Sequence, residues 1–120
     1  MLYSIGYQKL KNTTKLITIL KDRGINILVD VRSKPYSRNH AFNKKAIQKD
    51  LENAGINYTW AGHELGGFAE IKETTIKTLA AWQSGKTACL MCMETDPDKC
   101  HRKYEIAKRL KKYQIKVKHI

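Results

Sequence analysis

The residues best suited to chemistry lie in the last third of the chain, where Cys100, His101 and Arg102 follow one another and Glu94 stands just upstream. A thiol near the start of a helix, flanked by an imidazole and a guanidinium, has its thiolate favoured, which is the setting of a reactive cysteine. Cys100 is therefore the candidate nucleophile and His101 its partner. The competing expectation is that Cys100 packs against a sheet as a small apolar side chain. Glu94 is placed to act as a general base, or to hold Arg102 or Arg32 through a charge-assisted bond.

A second cluster, Asp30, Arg32, Ser33, Lys34, Arg38 and His40, follows a β-branched apolar run. Donors of this kind around one carboxylate that can orient a guanidinium make an anion cradle. The alternative is a structural Asp30–Arg32 ion pair followed by a solvated loop. Cys89 and Cys92 have the spacing of a metal or redox pair, but residues three apart on a strand point to opposite faces and cannot readily clasp one ion. Neither a metal nor another cofactor is expected, and Cys89 reads as core. His63, in a glycine-rich stretch, either contacts a ligand or caps the chain locally. Tyr58 and Trp60 are in phase on a strand and share one face of core, whereas Tyr36 could stack on a base.

Alternating strands and helices must position these residues. Residues 2–6 read as a buried strand, and Thr13 or Thr14 can cap a helix that carries Leu16, Ile17 and Leu20 inward and ends at Gly24. A second strand over 25–31 has the composition of a parallel strand covered on both faces. Asn43 is a plausible cap for a helix with Ile47, Leu51 and Ala54 inward and Gly55 past its end. A third strand over 56–60, a glycine-rich loop over 61–68, a helix with Ile76, Leu79 and Ala80 inward, and a fourth strand over 87–93 follow. Asp96-Pro97 is a strong helix start, because Pro at the first helical position loses no amide bond. One helix is expected from there to about Tyr113, then an edge strand over 115–120.

This order implies a single α/β domain spanning 1–120, with a mostly parallel five-stranded sheet and helices on both faces. In such open sheets, ligands bind outside the carboxyl ends of the strands, where both clusters fall. With 42% hydrophobic and 28% charged residues in 120, the chain can bury one core. No apolar run is long enough for a membrane span, and the first residues lack a signal-peptide layout. The odd, crowded cysteines fit a reducing compartment, so a cytoplasmic protein is expected. Lys and Arg number 23 against 11 Asp and Glu, a net +12 that favours phosphate-rich partners. Lys108, Arg109, Lys111 and Lys112 face water on the last helix and are the side chains to present to nucleic acid.

Several motifs resemble the bacterial and archaeal "domain of unknown function 488" proteins. They are Ser4-Ile5-Gly6-Tyr7; Leu28-Val29-Asp30-Val31-Arg32-Ser33-Lys34-Pro35 running into Ser37-Arg38; Phe42-Asn43-Lys44; and Gly55-Ile56-Asn57-Tyr58. Glu64-Leu65-Gly66-Gly67, Leu90-Met91-Cys92-Met93-Glu94 and Cys100-His101-Arg102 continue in order. The resemblance implies a compact α/β fold and one shared cleft formed by Asp30, Arg32, Ser33, Arg38, Cys92, Glu94, Cys100, His101 and Arg102, with no established reaction. The chain departs from it at Tyr7-Gln8, where relatives often carry a His and a Ser, and in a short loop after Gly67. A weaker echo, Leu28-Val29-Asp30-Val31-Arg32, resembles the strand before the active region of rhodanese-like sulfurtransferases. The acidic residues that follow Cys92 would repel a persulfide or phosphate there.

The leading expectation is a phosphorylated ligand, nucleotide or nucleic acid, in that cleft. Arg32, Arg38 and Arg102 would hold phosphate, and Glu94, Cys100 and His101 would carry any catalysis. The first alternative is a basic nucleic-acid-binding module without chemistry; rhodanese-like sulfur transfer is the second.

Overall fold

A computed structural model covers residues 1–120 and describes all of them except Phe68 and the side chains of Arg102 and Lys103. Its centre is a five-stranded sheet of β1 (Leu2–Gly6), β2 (Ile27–Asp30), β3 (Asn57–Trp60), β4 (Ala88–Cys92) and β5 (Val117–His119). The strands lie in the order β3-β2-β4-β1-β5, with every pairing parallel. Burial follows position. The inner strands β1 and β4 are buried at every residue, as apolar strands covered on both faces must be. The edge strand β3 alternates exposed and half-buried, and β5 is three residues long.

The helices divide between the two faces. On one face α1 (Thr13–Asp22) and α2 (Lys44–Asn53) bury Leu16, Leu20, Ile47 and Leu51 against Tyr3, Ile5, Leu28, Cys89 and Met91. On the other, a single turn α3 (Gly62–Leu65), α4 (Glu73–Gln83) and a C-terminal helical run bury Leu65, Ile76, Leu79, Ile106 and Leu110 against Leu2, Val29, Leu90 and Cys92. Cys89 and Cys92 thus belong to opposite cores, as strand alternation requires.

Three local details differ from expectation. The cap of α1 is Asn12, whose side chain accepts from Lys15 N at 3.1 Å, and Thr13 is the first helical residue. The glycine-rich stretch contains the α3 turn. The expected last helix is broken: a 3-10 turn at Pro97–Lys99, capped by Asp96 accepting from Asp98 N at 2.9 Å, ends at Cys100 in extended conformation (φ −126°, ψ 139°). A π-helical stretch Arg102–Ala107, the short α5 (Lys108–Leu110) and a 3-10 turn Lys111–Tyr113 follow. Cys100 therefore sits between two helical pieces, and its extended backbone is what lowers its sulfur into the core beside Cys92.

The chain order makes β4 the switch point of the sheet. β1 and β2 lead into helices on one face, and β4, which lies between them, leads into the run on the other. Connections that leave neighbouring strands in opposite directions open the crevice where α/β sheets hold ligands.

Candidate functional site

At the carboxyl end of β2 the Asp30 side chain points the same way as Leu28, toward α1 and α2, and is completely buried. Its Oδ1 accepts from Arg32 N at 3.1 Å and Nε at 2.8 Å, and its Oδ2 accepts from Arg32 Nη2 at 2.7 Å. The two side chains therefore meet as a fork, the strongest geometry for this pair. Arg32 Nη1 donates to Phe42 O at 2.7 Å and, more weakly, to Tyr7 Oη at 3.4 Å. Its guanidinium also lies over the Tyr7 ring, which stacks on Phe42 with centroids 4.5 Å apart. Tyr58 completes the cluster from β3 by donating to Asp30 Oδ2 at 2.5 Å.

The electrostatics agree with the geometry. Burial would lower the pKa of Arg32, but the hydrogen bond and charge of Asp30 outweigh it and raise the value above an already high one. Burial, reinforced by Asp30, pushes the Tyr58 phenol well above its usual range. Arg32 is only 7% exposed. With its nitrogens directed at Asp30, Phe42 and Tyr7, Arg32 ties the loop after β2 to the sheet. Asp30 and Arg32 thus form the buried ion pair that the sequence offered as one of two readings. Of the other cations expected there, Lys34, Arg38 and His40 are exposed on the tethered loop, and the side chain of Arg102 lies outside the described residues.

The thiols form a second cluster on the opposite face. Cys92 continues the Ala88 and Leu90 side of β4, and its sulfur lies 2.8 Å from that of Cys100. Cys92 Sγ also lies 3.5 Å from Glu94 O, and Cys100 Sγ lies 3.7 Å from His101 Nδ1. The other ring nitrogen of His101, Nε2, is 2.9 Å from Leu65 O. A carbonyl can only accept, so Nε2 carries the hydrogen and donates, and Nδ1 is the ring nitrogen that faces the thiol. The Glu94 carboxylate is turned into its own loop, where Oε1 accepts from Asp96 N at 3.1 Å. The imidazole of His101, rather than the Glu94 carboxylate, is the group described beside the Cys100 sulfur.

Glycine-rich main chain joins the clusters. A Cβ on Gly66 would collide with Ser33 Oγ and Gly62 O, and one on Gly67 would touch the His101 ring at 3.6 Å. Glu64-Leu65-Gly66-Gly67 thus runs between the end of β2 and His101, with Trp60 Nε1 donating to Arg32 O at 2.8 Å beneath it. On β1, a Cβ on Gly6 would meet the backbone of Glu94 and Thr95, so main chain leaving β4 leans over the end of β1.

The expected site residues thus form two clusters whose side chains leave opposite faces of the sheet at its carboxyl end. Cys92, Cys100 and His101 are brought together, Asp30 and Arg32 are brought together, and Ser33 lies at the glycine bridge. Sequence reasoning missed Tyr7, Phe42 and the Leu65 carbonyl as partners. Tyr58 was read only as core, although its phase placed it on the Asp30 side.

Two concavities lie away from the clusters. One of about 280 Å³ lies between β3 and α4 and is lined by Thr59, Glu64, Thr74, Thr75, Thr78 and Trp82 among others, without a cation. The other, about 720 Å³, runs beside β5 and is lined by Tyr104, Lys108, Lys111, Lys116 and His119 together with apolar residues. Among the described residues no group of three or more His, Cys, Asp or Glu could hold a metal ion, and no helix is long and apolar enough to cross a membrane.

Neither a curated protein nor a solved structure matches the chain. A family model does, over residues 12–76, which run from the cap of α1 into α4 and include the Asp30–Arg32 cluster and the glycine bridge. That match covers more than half of the 120 residues, and the chain belongs to the family described as "Domain of unknown function DUF488".

Proposed function

We propose that the protein binds the phosphate backbone of a nucleic acid, and that the groove beside β5 is where it does so. The observation that carries this reading is the lining of that groove: Lys108, Lys111 and Lys116, all exposed, around a Tyr104 ring that is 57% exposed. Lysines supply the sequence-independent attraction to phosphate, and an exposed aromatic beside them is a platform on which an unpaired base can stack. Two of the cations expected to face nucleic acid do other work. Arg109 Nη2 contacts Glu73 at 3.2 Å, and Lys112 Nζ also pairs with Glu73. The lysines that line the groove are among the cations that give the chain its net charge of +12.

The test is binding of a labelled oligonucleotide as a function of salt. Replacing Lys108, Lys111 and Lys116 by Ala should flatten the log–log salt slope by about 2.7 on duplex DNA, from ~0.9 per phosphate contact, and by about 2.1 on a single strand. Replacing Arg109 and Lys112 should leave the slope unchanged. Tyr104→Ala should weaken single-strand binding by about 1–3 kcal/mol and duplex binding far less. An unaltered slope in the lysine variant would overturn the assignment of the groove.

A second reading keeps a phosphorylated small ligand, such as a nucleotide, at the carboxyl ends of the strands. It is favoured by the exposed Lys34, Arg38 and His40 on a loop fixed at one end by the buried Arg32, with Tyr36 72% exposed among them. Lys34→Ala with Arg38→Ala separates the two, because it would abolish nucleotide binding while leaving the salt slope on long nucleic acid intact.

A further inference from the structure

The thiol cluster is not needed for nucleic-acid binding, yet its parts stand in a chemical order. The 2.8 Å between the sulfurs of Cys92 and Cys100 is less than an ångström longer than the ~2.05 Å of a disulfide. His101 is held at Nε2 by the Leu65 carbonyl with Nδ1 3.7 Å from Cys100 Sγ, so an orienting carbonyl, an imidazole and a thiol line up as in an activated nucleophile. Cys89, the remaining cysteine, is buried in the other core and serves as an internal control.

We propose that Cys92 and Cys100 are a redox couple that reduces a small hydroperoxide. His101 Nδ1 takes the Cys100 proton, and the thiolate attacks one oxygen of the peroxide. The O–O bond breaks, and the leaving alcohol or water takes the proton back from the imidazolium, which leaves Cys100 as a sulfenic acid. Cys92 then attacks that sulfur. The S–S bond forms, the S–O bond breaks, and hydroxide departs with the Cys92 proton as water. Two electrons pass from the dithiol to the peroxide, and a low-molecular-weight thiol restores the pair by exchange when local opening exposes the disulfide.

Burial selects the oxidant. Cys92 is 4% and Cys100 6% exposed, so a protein disulfide cannot approach either sulfur in line, whereas hydrogen peroxide is little larger than water. The inference is independent of the nucleic-acid reading, because it uses none of the groove residues.

The deciding experiment treats the reduced full chain with a few equivalents of hydrogen peroxide, denatures it, and alkylates the remaining thiols. The expected product is lighter by two hydrogens, labelled only at Cys89, cross-linked between Cys92 and Cys100 by peptide mapping, and returned to the starting mass by dithiothreitol. In Cys92→Ser a sulfenic-acid trap should label Cys100, and His101→Gln should slow oxidation of the wild-type pair roughly a hundredfold. The proposal is overturned if all three cysteines remain alkylatable at peroxide levels that oxidise cysteine in solution, or if Cys89 reacts first. That outcome is read on the unsubstituted chain, so a variant that fails to fold does not rescue it.

Discussion

Replacing Arg32 with Met tests whether the cluster at the end of β2 is a latch or a ligand site. The change removes the fork to Asp30 and the bonds to Phe42 O and Tyr7 Oη, and leaves a fully buried carboxylate without its charge partner. Breaking a buried pair in this way costs about 3–5 kcal/mol. Asp30 keeps the Tyr58 hydroxyl and the Arg32 backbone amide as donors, so the low end, about 3 kcal/mol, applies. At roughly 2.1 cal/mol/K of unfolding entropy per residue, 120 residues lose about 4 °C of Tm per kcal/mol, so the midpoint should fall by about 12 °C. Thermal unfolding followed by circular dichroism measures it. Adding Asp30→Leu should recover part of the loss, because it removes the charge that was left unpaired. A shift below about 3 °C accompanied by loss of nucleotide binding would refute the latch and return Arg32 to a ligand.

Two further predictions concern pH. The Tyr58 phenol is held above its usual value of ~10 by burial and by Asp30, so the fold keeps that proton after an unfolded chain would lose it; its stabilisation is present below pH ~10 and lost as pH rises beyond. In a phenolate absorbance titration one of the six tyrosines should stay protonated until the fold is lost, and a reversible titration of all six near 10 would contradict this. Glu73, exposed but gripped by Lys112, Tyr113 and Arg109, has its pKa lowered from 4.5 to about 2. Its stabilisation is present above about 4.5 and disappears as pH falls toward 2, so Glu73→Gln should flatten the dependence of Tm on pH in that window; an unchanged acid limb would count against the contact.

The elements were legible because their signals are local. Asn43 starts α2, and Gly24, Gly55 and Gly85 adopt positive φ beyond α1, α2 and α4, where any other residue is strained. The five-stranded parallel sheet followed from alternation of element types alone. How the two clusters sit relative to each other is something local signals do not carry. Asp30 has the parity of Leu28 and Cys92 that of Leu90, but which faces those parities occupy depends on β2 lying beside β4 with Asp30 paired to Met91. A register shifted by one residue would have put both clusters on the same side. The break at Cys100 was hidden in the same way, because Asp96-Pro97 signals a start but cannot say that the turn ends after one cycle.

The acidic residues decide where the positive charge is available. Asp30 neutralises Arg32 inside the protein, so that pair adds nothing to the field outside. Glu73, reaching from the start of α4, gathers Arg109 and Lys112, and Arg109 is further held by the Ile71 carbonyl. Among the described cations of the C-terminal run, Lys108 and Lys111 remain, and they line the same groove as Lys116. A helical run that reads as uniformly basic therefore has one side drawn against α4 and another left beside β5. The second side is the one that can trade its counterions for phosphates.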